Sequence, residues 1–154
     1  KSDEELTDIF LPMLRKKGIT IDRLYIEKIV GFVKERMVFL TDFWDQAAFF
    51  FETPSEYNQK IVKKKWKEDT NEILLQIYDV LEGIRSEVFT VEHTEDAVKE
   101  FINGRELSFG NVLNPLRLVL TGTGGGPHLF DIISTIGKEE TLKRIMNGVK
   151  NIKK

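Results

Sequence analysis

The chain has 154 residues, of which 41% are hydrophobic and 31% charged, with no cysteine, two histidines and a formal net charge of −2. That length suffices for one compact domain or two small helical ones, and the missing cysteines exclude disulfides and thiolate zinc sites. A near-neutral, slightly acidic total excludes wholesale nucleic-acid coating, so any nucleic-acid contact must be local.

Ser2-Asp3-Glu4-Glu5 has the form of a capping box, and Leu6, Ile9, Phe10, Met13 and Leu14 follow at helical spacing until Gly18. A second helix is expected from the repeat of Ile26, Ile29, Val30, Val33 and Met37, closing near Arg36. Thr41 is the expected cap of a third, with Trp44, Ala47, Ala48 and Phe51 as its stripe and Phe49-Phe50-Phe51 plugging the core. Thr53-Pro54-Ser55-Glu56 combines a cap, a proline at the first helical position and a returning glutamate, which predicts a short helix starting there.

Lys60, Lys63, Lys64, Lys65 and Lys67 surround Trp66. This pattern fits a solvated helix face with one inward tryptophan better than a basic patch with a stacking aromatic. From Asp69, the stripe Leu74, Ile77, Leu81 and Ile84 marks a long amphipathic helix. Ser86 to His93 breaks the period and reads as a linker, which divides the chain into subdomains 1–88 and 89–154.

Thr94 is the expected cap of the next helix, with Ala97, Val98, Phe101 and Ile102 inward and Asn103-Gly104 stopping it. Gly110 to Leu120 is read as helix despite Pro115, because a lone strand in a chain otherwise patterned at 3.6 could not satisfy its backbone. Gly126 is the expected cap and Pro127 the first residue of a helix carrying Leu129, Ile132, Ile133 and Ile136, and a last helix comes after Gly137. The expectation is about nine helices in two all-α halves.

Two features of the stretch from Leu116 to Phe130 need a reason. Arg117 sits among Leu116, Leu118, Val119 and Leu120, where its fork either holds a structural partner or reaches a base edge or phosphate. The run Gly122-Thr123-Gly124-Gly125-Gly126 leads into a helix start, which is either a long turn or a place for a phosphate or base acceptor. It matches neither the Walker A pattern nor the dinucleotide fingerprint. His93 and His128 have no companion for a metal site, and no nucleophile–base pair supports acid–base catalysis. No run is long and apolar enough to span a bilayer and the first residues are polar, so a cytoplasmic protein is expected.

Pro115-Leu116-Arg117, Leu120-Thr121-Gly122, Gly126-Pro127 with Leu129-Phe130, and Gly137-Lys138-Glu139 together resemble the C-terminal anticodon-binding region of bacterial-type glutamyl-tRNA synthetases. The earlier half is similar too, through Lys34-Glu35-Arg36, Thr41-Asp42-Phe43, Ala47 to Phe51, Pro54 and Tyr57. The resemblance covers nearly the whole chain. It implies an all-α, two-subdomain helical cage that binds the anticodon loop of glutamate tRNA. It also implies that the catalytic domain, with its ATP and Mg, belongs upstream and that this part has no cofactor and does not aminoacylate alone. Neither nucleotide-binding signature of that domain occurs here. By the same resemblance Arg117 contacts the first anticodon base with Leu129, Gly126, Pro127 and Phe130 hold the middle base, and Arg36 reads the third. Where some members have threonine before the proline, Gly126 offers backbone only. The competing readings are a helical protein-interaction scaffold, favoured by aromatic surface, and a helix-turn-helix DNA binder, which lacks a basic recognition helix.

Overall fold

A computed structural model describes residues 1–153, and among them every regular element is helical. There are eight α-helices: α1 (Asp3–Lys16), α2 (Arg23–Val33), α3 (Phe43–Phe51), α4 (Gln59–Lys65), α5 (Thr70–Glu82), α6 (Val91–Gly104), α7 (Phe109–Thr121) and α8 (Leu129–Asn151). Short 3₁₀ turns lie at Lys34–Arg36, Leu40–Asp42 and Ser86–Val88. Gly137, at φ 89° and ψ 169°, breaks α8 internally, so the expected separate last helix is its second half.

The chain forms two compact units, Lys1–Glu52 and Thr53–Lys154. The division therefore falls earlier than the expected boundary at 88/89. Ser86 to His93 is no interdomain linker: Phe89 is buried in the second unit's core, and Val91 already opens α6. The period breaks there because a 3₁₀ turn joins two helices of one core.

In the first unit the capping box is present, with Glu5 N donating to Ser2 Oγ at 3.1 Å and Ser2 N to Glu5 Oε1 at 3.3 Å. Gly18, at φ +81°, ends α1 as expected, with Ile19 N returning to Leu14 O. Leu6, Phe10 and Leu14 of α1 and Ile26, Ile29, Val30 and Val33 of α2 meet Phe43, Ala47 and Phe50 of α3, and the Phe10 and Phe43 rings stack at 4.0 Å. The inward stripe of α3 is thus one residue out of phase with the expected one. Thr41 is not its cap: the chain first makes a 3₁₀ turn, and Asp42 precedes the helix. Of the three consecutive phenylalanines only Phe50 is fully buried, because adjacent helical positions point about 100° apart.

In the second unit the core includes Val62 of α4 and Trp66 just after it, Leu74, Ile77 and Leu81 of α5, Val98 and Ile102 of α6, Leu116, Val119 and Leu120 of α7, and Ile133 and Ile145 of α8. Trp66 turns inward and its neighbouring lysines lie mostly outside, as the sequence pattern suggests. Thr90, not Thr94, caps α6 by accepting from His93 N, while Thr94 is buried with its hydroxyl bonded back to Thr90 O. Gly104 remains helical, and the left-handed residue after α6 is Glu106 at φ 55°. Gly148 lets α8 lie against α7, since a Cβ there would come within 2.1 Å of Val119 Cγ1.

Candidate nucleic-acid interface

Helix α7 runs through Pro115, whose missing N–H falls on Asn111 at the exposed start of the helix. From there Leu116, Leu118, Val119 and Leu120 are buried, and Arg117 is half-buried at the rim. Gly122 ends the helix at φ +79°, with its N–H on Leu118 O at 2.7 Å. A Cβ at Gly122 would lie 2.7 Å from Glu56 O, so both the handedness and the close approach require glycine. The Thr121 hydroxyl accepts from Thr123 N at 3.1 Å and bonds back to Arg117 O at 2.9 Å, which curls the chain out of the helix.

Arg117 organises the turn beyond the helix. Its Nη1 donates to Pro127 O at 2.7 Å and, more weakly, to Gly125 O at 3.4 Å. A single guanidinium nitrogen thus ties the outgoing end of the turn to the helix before it. Thr123, Gly124 and Gly125 are exposed along the crest, Gly126 is half-buried at φ +119°, and Pro127 is buried. Neither Gly126 nor Pro127 opens α8: the helix begins at Leu129, with His128 before it, because Gly126 occupies positive φ and Pro127 O is committed to Arg117. His128 is exposed, and its Nε2 lies 3.4 Å from Glu95 Oε2, which also pairs with Lys99 at 3.2 Å. Leu129 and Phe130 point into the core at 4% and 2% exposure. Phe130, which the resemblance puts on the middle base, therefore has no open ring face, and the ring left outside is that of His128, 5.7 Å from Phe130.

The other wall of the turn is the segment before α4. Thr53 to Asn58 is irregular rather than helical, contrary to its capping signature, because tertiary bonds claim its groups. Asn58 N donates to Gly122 O at 2.9 Å, and the Thr53 hydroxyl bonds to Glu140. Asn58 caps α4 instead, accepting from Lys60 N and Ile61 N. Ile61 reaches the crest, since a Cβ at Gly124 would lie 2.6 Å from its Cδ1.

Beneath this lies Arg144, which is 1% exposed. Its Nε donates to Glu140 Oε2 at 2.6 Å and its Nη1 to Leu120 O at 2.7 Å, so it satisfies one of the last carbonyls of α7. Burial tends to raise the Glu140 carboxyl, but the Thr53 hydroxyl and Arg144 outweigh it and hold the group below the ordinary carboxylate range. Burial likewise pushes the Tyr57 phenol up, with Arg144 pulling the other way. This buried arginine is the residue that sequence reasoning missed. Its signal was the i, i+4 spacing of Glu140 and Arg144 next to Ile145, where a strictly apolar stripe would put the side chain at the edge of the core.

Arg117, Gly126, Pro127, Leu129 and Phe130 therefore come together at one turn of the second unit. Arg36 belongs to the first unit, exposed at the end of the 3₁₀ turn after α2. Beyond it Val38 and Phe39 are exposed at 82% and 68%, and their N–H groups both donate to Asp42 Oδ2, at 3.0 and 2.9 Å. That carboxylate fixes the backbone carrying two apolar side chains in solvent. Among the described residues there is no group of three or more acidic, histidine or cysteine side chains able to hold a metal, and no helix is long and apolar enough to cross a membrane.

Residues 5–149 match the anticodon binding domain family. Over 153 residues the chain is 42% identical to the glutamate–tRNA ligase of Phocaeicola vulgatus, covering 99% of this chain and 30% of that protein. It is 44% identical over 151 residues to the ligase of Christiangramia forsetii, covering 98% and 30%. A crystal structure of a glutamate tRNA ligase from Elizabethkingia meningosepticum, in complex with its amino acid, superposes on it with a TM-score of 0.91 at 29% identity, over 99% of this chain and 30% of that one. The chain belongs to the anticodon-binding domain family of glutamate–tRNA ligases. It spans about 30% of the length of these relatives and corresponds to their C-terminal anticodon-binding region, not to their catalytic domain. The all-α fold expected from the sequence is that of the family.

Proposed function

We propose that this domain binds the anticodon loop of glutamate tRNA within a larger ligase whose upstream catalytic domain uses ATP and Mg to charge that tRNA. The observation that carries the reading is the exposed Thr123–Gly125 crest, tied down by Arg117 and flanked by the exposed His128 ring. Arg117 serves the first anticodon base from its place at the rim of the crest. Gly126 and Pro127 offer the middle base backbone and shape. Leu129 and Phe130, buried as they are, act by setting the turn rather than by stacking, and an aromatic contact at this turn falls to His128. Arg36, with its long exposed side chain, reads the third base and separates glutamate tRNA from tRNAs that differ there.

The exposed Val38, Phe39 and Leu40 are what favours the scaffold reading, in which an apolar surface docks a protein. Salt separates the two. Binding through phosphates weakens steeply as ionic strength rises, whereas apolar docking does not. The test of the first reading is the affinity of the chain for a glutamate tRNA transcript and for transcripts with one anticodon base replaced. Each replacement is expected to weaken binding roughly tenfold, on the order of 1–3 kcal/mol per base contact. Equal affinity for all of them would remove the anticodon from the account.

A further inference from the structure

The lysine cluster around Trp66 is explained by packing only on its inward side. Val62 and Trp66 are buried, and Ile61 packs against the glycine crest, which accounts for the apolar face of α4. The outward side carries Lys60, Lys63 and Lys64, with Lys67 just beyond the helix, all exposed. Lys153 lines one groove with Lys63, Gln59 and Val62, anchored by the buried Ile152. None of these five lysines has an ion pair within 4.0 Å to any described residue.

Such a ridge is unusual for this chain. The chain's net charge is −2, yet residues 60–67 hold five lysines and no acidic residue, whereas Lys34 and Lys99 stand beside Asp3 and Glu95. Like charges at i, i+4 repel by about 0.2–0.5 kcal/mol per pair, and α4 has only seven residues, too few to be stable alone. Lys63 and Lys64 suit the C-terminal end of the helix dipole, but Lys60 in the first turn opposes it. A polyanion laid along the ridge relieves the repulsion.

We propose that the lysine face of α4, with Lys153 beside it, is a track for the sugar–phosphate backbone of the RNA whose bases are read at the adjoining glycine turn. The proposal rests on the anticodon reading of that turn. Continuity supports it: Asn58, the cap of α4, bonds directly to Gly122, and Ile61 of α4 packs against Gly124. Lys60 and Lys64 are about 6 Å apart along the helix axis, close to two nucleotides of a stacked strand at roughly 3.4 Å each. Long flexible ammonium side chains suit phosphate as point charges and need no base identity. The division of labour is then sequence at the turn and affinity along α4.

The test is the salt dependence of tRNA binding by the chain and by the triple variant Lys60→Gln/Lys63→Gln/Lys64→Gln, with circular dichroism as the check of fold. The slope of log affinity against log salt should flatten by about 2, at roughly 0.7 for each single-strand phosphate that the variant no longer neutralises. Affinity should drop about tenfold or more at low salt, while the ratio between native and anticodon-substituted transcripts stays unchanged. The corresponding triple arginine variant should keep the parent slope. An unchanged slope in a folded glutamine variant overturns the track, even if the parent discriminates anticodons. A parent that binds tRNA without discriminating overturns the reading of the turn, while a flattened slope would still assign the phosphates to these lysines. Absence of tRNA binding overturns both, and lysine-dependent binding to phosphatidylserine vesicles without tRNA binding would assign the ridge to a membrane surface instead.

Discussion

The arginines of α7 and α8 support the same turn from two depths. Arg117 is half-buried and spends Nη1 on two carbonyls of the exposed turn, whereas Arg144 is wholly buried and spends its donors on Glu140 and on the last turn of α7. The deep support fixes where α7 ends and where the Thr53–Asn58 segment lies. The shallow one fixes the exposed crest proposed to meet the anticodon. Under the proposed function, a turn held this way has its shape before the RNA arrives, which spares binding the cost of ordering a flexible loop.

The sharpest way to break the contrast is to remove the deep support. Arg144→Met leaves the Leu120 carbonyl without its side-chain donor and the Glu140 carboxylate with only the Thr53 hydroxyl, and loss of the buried member of this pair is expected to cost about 3 kcal/mol in chemical denaturation. Next is Gly148→Ala, which drives a Cβ into Val119 at the α7–α8 contact and should cost about 1–3 kcal/mol or more by overpacking. Arg117→Lys is expected to cost less stability, about 1–2 kcal/mol from the lost charged hydrogen bonds, yet to weaken tRNA binding clearly. An equal loss of stability from Arg117→Lys and Arg144→Met would erase the distinction between them.

The smallest effect is a pH dependence. The Glu140 carboxyl is lowered in the fold, so the stability it lends is fully present above its unfolded pKa, near 4.5, and is lost as pH falls through the lower folded value. Acid unfolding monitored in the parent and in Glu140→Gln should show a shallower loss of stability in the variant below about pH 4.5. Parallel curves would remove Glu140 from the support.

The helices were largely legible because their apolar positions recur at 3.6 and their ends carry local chemistry, as at Ser2, Glu5 and Gly18. Two misplaced helix starts share one cause. Thr53-Pro54-Ser55-Glu56 and Gly126-Pro127 have the local form of helix starts, but Thr53 is claimed by Glu140, Asn58 by Gly122, and Pro127 O by Arg117. Long-range bonds of that kind leave no periodic trace. Arg117, Gly126, Pro127, Leu129 and Phe130 were recognisable as a group from their motif, yet the motif cannot say that Phe130 faces inward while His128 stays outside. Arg144 was hidden for the opposite reason, since a helical arginine next to a lysine has the pattern of a solvated face.

The most direct measurement of the central claim is chemical footprinting of glutamate tRNA bound to this chain, comparing base-edge reactivity with backbone cleavage across the anticodon stem-loop. The account predicts protection of the base edges of the anticodon, with protection at the first base lost on Arg117→Gln and at the third on Arg36→Gln. Protection confined to the backbone, with all three anticodon bases as reactive as in free tRNA, would contradict it.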